Sequence, residues 1–354
     1  MQRVNDDKII ISLLSEINKD KWNNYLRSKP IPPLCDFKWK WILENTYNAE
    51  THFLIAEDNN RNVVGTMPLY FIKDYSGGYM AFTLKYGFSV DSDIIAKKFI
   101  NYVDKIFEEK NAIYTNICSG QSDYDLEYQK NKSHTVILSL LDDVDAMWSS
   151  LSAKVRNMVR KASRDGIVIE NGIDKVKEFY SIYSERMIDK NIRLHSIEYF
   201  YNIIKYLPNN VQIFIAKRNE NIIGGMFLIN NSDYGIYIYG GSRIIKKQTS
   251  PNQLLLWSMV KYCINQGIKQ IDLGESVPGT GVHNFKLWFG GETKEIYRYS
   301  SERFNYDKLK FSKNKFLFLK RQTLRIGSYI LMRVGTKPLK KYIGIWKRSK
   351  GSLQ

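Results

Sequence analysis

The chain of 354 residues is short of the residues that cross-link or metallate proteins. Its three cysteines, Cys35, Cys118 and Cys263, lie far apart and form no Cys-x-x-Cys pair. That argues against a disulfide framework and fits a reducing compartment. The four histidines (His52, His134, His195, His283) show no HExxH or paired spacing, so no metal site is expected. No apolar run approaches the roughly 18 residues that a membrane span needs. The apolar stretch Ile9–Leu14 follows Asp6 and Asp7 and does not have the pattern of a secretory signal. A cytoplasmic protein is expected. Acid is scarce in one place above all. From Asn305 to Gln354 fourteen Lys/Arg face one acid, Asp307. That stretch therefore holds +13 of the net +17 and leaves +4 for the first 304 residues.

What is present suits a folded α/β protein. Hydrophobic residues make up 44% and aromatics 14%, enough for a core. The length predicts about two domains, placed here at residues 1–145 and 146–304, followed by a basic amphipathic tail at 305–354. The segment FLIAEDNNRNVVGTMPL (Phe53–Leu69) reads as strand, turn, strand. It is echoed by IFIAKRNENIIGGMFL (Ile213–Leu228). The order continues alike in both places. Aromatic strands end at Tyr86-Gly87 and Tyr239-Gly240-Gly241, helices follow at Asp93–Glu109 and Asn252–Gln266, and strands at Ala112–Cys118 and Lys269–Gly274. One α/β unit is used twice.

Before the repeats, Trp22 and Tyr25 mark a helix-like opening. The spacing of Phe37, Trp39 and Trp41 fits either a strand or a helix. Between the repeats, Trp148–Gly166 reads as one helix, capped by Ser149 or Ser150 and stopped by Gly166. Leu151, Val155, Met158, Val159 and Ala162 share one face; Arg156, Arg160, Lys161 and Arg164 share the other. That basic face is either a solvated surface or a phosphate-binding one. The loop after Gly240-Gly241-Ser242 carries Arg243, Lys246 and Lys247 into a helix headed by Ser250-Pro251, a further candidate anion site. Lys315–Gly351 interleaves Lys/Arg with Phe316, Leu317, Phe318, Leu319 and Trp346. Such a segment fits an anionic membrane surface, with nucleic acid as the competing partner.

The richest stretch is IDLGESVPGTGVHNFKLWFGG, Ile271–Gly291. It reads as a short strand stopping at Gly274, then a Gly/Pro loop that closes on Asn284-Phe285-Lys286 and a Trp288–Gly291 turn. Loops that pack polar groups between glycines and aromatics often form sites. Lys286 is the candidate for stabilising charge on a carbonyl or phosphate. Asp272 and Glu275 are candidates for holding or deprotonating an amine, and Asp272 fits a loop cap equally well. His283 is either a base or a bystander. Ser276, Asn284, Phe285, Trp288, Gly241, Ser242, Arg156, Arg160 and Lys161 are candidate substrate contacts. No Ser/His/Asp or Cys/His set is evident, so no covalent intermediate is expected.

These residues resemble a known group. The chain is similar to the Fem/BioF2-like branch of the GNAT acyltransferase superfamily. The resemblance rests on Val63-Val64-Gly65 with Met67-Pro68-Leu69, on the basic helix with Val155-Arg156 and Val159–Ala162, and on Asp272, Gly274, Ser276, Gly281, Phe285-Lys286 and Gly290. The basic aliphatic tail adds to it. The resemblance implies two tandem GNAT-like domains of mixed sheets flanked by helices, with catalysis in the second. It also implies acyl or aminoacyl transfer to an amine, and it puts the family's motif lysine at Lys286. No long charged hairpin interrupts the second domain, unlike the peptidoglycan bridge-forming enzymes. The place where acyl-CoA-using relatives carry a Q/R-x-x-G-x-G/A loop reads GGSRIIKKQTSPN, without that glycine spacing. Aminoacyl-tRNA is therefore the expected donor and acyl-CoA the alternative, with no tightly bound cofactor. The expected acceptor is a cell-envelope or exopolysaccharide precursor, or an amino sugar. The tail is expected to attach the protein peripherally to the inner face of the membrane. A non-catalytic protein of the same fold, binding membrane or nucleic acid, is the remaining alternative.

Overall fold

The computed structural model describes residues 9–302, except 28, 30, 31, 74–77, 111, 191, 193 and 244–248. Lys246, Lys247 and the tail at 305–354 lie outside the described residues.

The first half runs β1 (Ile10–Leu13), α1 (Lys19–Arg27), α2 (Trp39–Tyr47), β2 (Glu50–Glu57), β3 (Val63–Lys73), β4 (Tyr79–Phe82), β5 (Ser89–Val90), α3 (Asp93–Glu109), β6 (Ala112–Gly120) and β7 (Gln129–Ser139). The second half runs α4 (Val144–Ser150), α5 (Ala153–Arg164), β8 (Ile167–Asn171), α6 (Val176–Asp189), α7 (Ile197–Tyr206), β9 (Val211–Arg218), β10 (Asn221–Asn230), β11 (Tyr234–Ser242), α8 (Asn252–Asn265), β12 (Gln270–Glu275), α9 (Gly281–Leu287) and β13 (Glu292–Glu302). The repeat is visible in three dimensions. The hairpins β2–β3 and β9–β10, the strands β4 and β11, the helices α3 and α8, and the strands β6 and β12 follow in the same order.

The two halves do not keep separate sheets. One mixed sheet runs β1-β2-β3-β4-β6-β13-β7-β12-β11-β10-β9-β8, with β5 on β3. At its centre the halves exchange strands. β7 follows β6 in the chain but pairs antiparallel with β12, Ile271 opposite Leu138 and Asp272 opposite Ile137. β13 follows β12 but pairs antiparallel with β6 and β7. Each half therefore completes the other's sheet.

The helices form for reasons present in the sequence. Ser92 accepts a hydrogen bond from Ile95 N at the head of α3, and Asp143 does the same from Ala146 N at α4. The Trp39–Trp41 region is helix, with Trp39, Ile42 and Leu43 buried; Trp39 Nε1 donates to Pro33 O at 2.9 Å. The span read as one helix from Trp148 to Gly166 is broken at Leu151. There Ser152 caps a new helix by accepting from Val155 N, so α4 and α5 are separate. Three clusters make the core. One lies under α1, α2, α6 and α7 and joins both halves, the second lies under α5 and α8, and the third under α3. No helix among the described residues is long and apolar enough to cross a membrane.

The strand exchange generates a test. Residues 146–354 expressed alone leave β12 without β7 and β13 without either neighbour. This fragment is expected to show no cooperative thermal transition by circular dichroism, and mixing it with residues 1–145 is expected to restore one. A sharp transition in the isolated fragment would show that the exchange is dispensable.

Candidate active site

The parallel neighbours β11 and β12 pair over three positions only: Tyr234 with Gln270, Gly235 with Ile271, and Ile236 with Asp272. Beyond them β11 runs on to Ser242 along β10, while β12 ends at Glu275 along β7, so the two strands part. A register shift in β11 between Tyr237 and Tyr239 adds a bulge at Ile238, beside the parting. Such a split between parallel strands, at their C-terminal ends, is where open α/β sheets take ligands.

At the foot of the split sits Asp272, with no exposed surface. Lys85 Nζ donates to its Oδ2 at 2.6 Å and Tyr86 Oη at 2.7 Å. Thr135 Oγ1 donates to Oδ1 at 2.5 Å and Gly274 N at 2.8 Å. Burial alone would raise this carboxyl's pKa; the Lys85 ammonium and the hydrogen bonds outweigh it and hold it below the ordinary range. Both oxygens are fully engaged. Asp272 thus caps the turn at Gly274, the second of the two roles expected for it.

Glu275, next along, accepts from Ser133 Oγ at 2.7 Å and pairs with Arg298 at 2.5 Å. Burial raises its pKa, and Arg298 and Lys85 bring it below the usual value. His283 is buried and holds Ser276 Oγ and Thr293 Oγ1, each at 3.0 Å. Burial, with Lys286 nearby, lowers its pKa. None of the three is an unengaged base.

The stretch expected to be a loop contains α9. Thr280 caps it by accepting from His283 N, and the helix turns Phe285 and Lys286 inward. Lys286 is only 4% exposed. Its Nζ donates to Gly274 O at 2.7 Å and Glu275 O at 3.1 Å. Burial lowers its pKa to about 8, against the opposing pull of Asp272. Gly274 has φ +83°, and an added Cβ would stand 3.2 Å from Tyr237 O, so glycine is required where the lysine meets the turn.

The remaining expected contacts divide. Ser276, Asn284, Phe285 and Trp288 lie on or beside α9, with Trp288 40% exposed under Lys154 Nζ, 4.4 Å from its ring centre. Gly241 and Ser242 end β11, and Gly241 makes room for Arg186. Arg156 is spent on structure. Its guanidinium donates to Ser149 O at 2.9 Å and Leu151 O at 2.5 Å and ties α4 to α5. Arg160 lies over Trp148 at 5.4 Å, and Lys161 is exposed. Arg160 and Arg164 face Trp257 and Lys261 of α8 across an open groove of about 570 Å³. Neither α5 nor α8 contains an acid.

Sequence reasoning missed Lys85, Tyr86, Thr135, Ser133 and Arg298. Tyr86-Gly87 marked a repeat boundary, but nothing in its spacing points to Asp272, 186 positions away.

If Asp272 carries this weight, Asp272→Asn removes the counter-charge of Lys85 and is expected to cost about 3–5 kcal/mol in urea unfolding. The sign with pH follows. A carboxyl held low in the folded state contributes stability above its unfolded pKa, near 4. That contribution is lost as pH falls through the lower folded value. The parent should therefore weaken below about pH 4, and the variant should show a flatter acid limb. An acid limb of equal steepness in both would remove Asp272 from the stability balance.

The family description "Acetyltransferase (GNAT) domain" matches residues 149–287. No curated protein matches the chain in sequence. Among solved structures, FemX superposes with a TM-score of 0.62 at 16% identity, covering 81% of this chain and 96% of its own. A tandem GNAT protein from the clavulanic acid biosynthesis pathway gives 0.55 at 10% identity, covering 83% and 98%. The C-terminal domain of a putative lysylphosphatidylglycerol synthetase from Agrobacterium fabrum gives 0.52 at 12% identity, covering 88% and 98%. Residues 149–287 thus match the GNAT acetyltransferase domain family, and the chain as a whole shares its fold with FemX and with a tandem GNAT protein.

Proposed function

We propose that the protein transfers an activated acyl or aminoacyl group to an amine in the split between β11 and β12, forming an amide. The observation that carries this reading is Lys286, a buried ammonium clamped at the foot of that split. Amide formation needs a neutral amine, aligned partners and stabilisation of the oxyanion that develops on the carbonyl. The two carbonyls use two of the three ammonium donors, and the third serves the oxyanion. Asp272, Glu275 and His283 are engaged with protein partners, so the amine enters neutral and its proton leaves with the departing oxygen or sulfur.

Aminoacyl-tRNA is the donor we favour. The acid-free face of α5 and α8, with Arg160, Arg164 and Lys261 around Trp257, suits a phosphate backbone. A cell-envelope or exopolysaccharide precursor, such as a peptidoglycan intermediate or an amino-sugar chain, is the acceptor class we assign. The basic tail would hold the protein at the membrane surface where such precursors are found. The second reading, acyl-CoA as donor, is favoured by the GNAT match over 149–287 and by the tandem GNAT neighbour whose structure is described as lacking AcCoA.

Thermal shift separates the donors. Protection by charged tRNA and not by a CoA thioester supports the first reading, the reverse supports the second, and protection by neither sinks both. With the active donor, Lys286→Ala is expected to lower kcat about 10²–10³-fold, the size of losing one oxyanion donor, with donor KM little changed. Near-normal turnover would remove Lys286 from the chemistry.

A further inference from the structure

The first half holds the counterpart of the split, between β4 and β6, and there it is shut. Beyond the pairing of Phe82 with Asn116, Thr83 N donates to Asn116 O at 3.0 Å. Thr83 Oγ1 accepts from Cys118 N at 2.8 Å, and Phe88 N donates to Cys118 O at 3.2 Å. The loop from Thr83 to Phe88 is thus sewn across the place that stays open between β11 and β12.

That loop is also strained and braced. Tyr86 has φ +64°, a left-handed conformation that a residue with a side chain rarely adopts. Cys35 Sγ donates to Tyr86 O at 2.9 Å, and Gly87 N donates to Leu84 O at 2.9 Å. The Tyr86 ring fills the space over Gly120, where any Cβ would collide with it. The outcome of this bracing is that two consecutive side chains cross to the second half. Lys85 Nζ and Tyr86 Oη both end on Asp272 Oδ2, and Lys85 Nζ also donates to Thr135 Oγ1 at 2.9 Å. From there the connection is unbroken: Asp272 Oδ1 takes Gly274 N, and Gly274 O takes Lys286 Nζ.

We propose that Lys85 and Tyr86 are positioning residues of the second-half site, acting through Asp272 to fix the Gly274 turn onto which Lys286 is clamped. The closed cleft of the first half is then the device that delivers them. This rests on the reading of Lys286 as the cation of the site, so its test uses a readout that needs no turnover.

Among the described residues, the charged groups acting on Lys286 include Asp272 and Glu275 from β12, Lys85 from the loop after β4, and Lys190 from the end of α6. His283 shares α9, with His134 of β7 facing it, and Arg298 of β13 is taken up by Glu275. The protein labelled with ¹³C at lysine Cε is titrated by NMR, and the Lys286 signal is assigned by its loss in Lys286→Met. The parent midpoint is expected near pH 8. Asp272→Asn removes an attracting charge and should move the midpoint down. Lys85→Met removes a repelling charge and should move it up, each by roughly half a unit or more, about a threefold change in the ammonium-to-amine ratio. Lys85→Arg should return the midpoint to the parent value. Tyr86→Phe keeps the ring over Gly120 and should shift the midpoint upward, since Asp272 loses a donor that spreads its charge. These last two variants keep the test open should Lys85→Met fail to fold. Unchanged midpoints in folded Asp272→Asn and Tyr86→Phe, or movement of the Asp272 and Lys85 variants in one direction, would overturn the proposal. Shifts as expected in a protein that transfers no acyl group from either donor would leave the positioning roles standing and sink the functional reading instead.

Discussion

A carboxylate with no exposed surface has to be surrounded by donors, because an unpaired buried charge costs several kcal/mol. Asp272 is that group here, and its four donors come from three places: Lys85 and Tyr86 from the loop after β4, Thr135 from β7, and Gly274 from its own turn. Satisfying it therefore requires both halves to be in register. The strand exchange supplies that register. β7 lies against β12 because it has crossed from the first half, and this brings Thr135 beside Asp272. A second, smaller set repeats the arrangement one step along, where Ser133 of β7 and Arg298 of β13 close on Glu275. Two exchanged strands, a buried carboxylate and a half-buried one form one structural unit.

The duplication is unequal, and the inequality has a local cause. In both halves two parallel strands meet over a few residues near their starts. In the second half the longer strand continues along β10 and leaves a gap. In the first half β4 stops at Phe82, and the chain turns through Leu84 to Phe88 back across β6. The same slot is closed by the Thr83–Phe88 loop in one copy and stays open in the other. The copy whose slot is closed furnishes Lys85 and Tyr86 to its neighbour.

Much of the fold was legible because it is written in local patterns. The paired strand–turn–strand segments, the helix Asp93–Glu109 and the buried face Val155, Val159 and Ala162 all follow from spacing alone. The crossing of β7 and β13 does not, since each follows its own half in sequence and reads as an ordinary last strand. The site was legible by residue type and not by role. Ile271–Gly291 stood out by its residue types, but Gly281 and Asn284 concealed a seven-residue helix that the Thr280 cap starts. Burial of Lys286 follows from that helix and from carbonyls eleven and twelve residues upstream. Arg156 reads as part of a basic face because its sequence neighbours are charged; the carbonyls it binds are set by the break at Leu151, which periodicity does not reveal.

The balance of charge at the foot of the split favours the proposed chemistry over simple amine binding. Lys85, Lys286 and Arg298 face Asp272 and Glu275, which leaves one positive charge in excess among these five groups. A site meant to hold an ammonium would show the opposite excess. An excess of positive charge in a buried place disfavours the protonated amine and favours the neutral nucleophile, while stabilising negative charge that develops on a carbonyl oxygen. Lys286 with a pKa near 8 is mostly charged at neutral pH, yet it is close enough to its midpoint to respond to its neighbours. Burial lowers that pKa first, and the Lys85–Asp272 pair, reaching in from the half of the protein that has no cleft of its own, acts on it next.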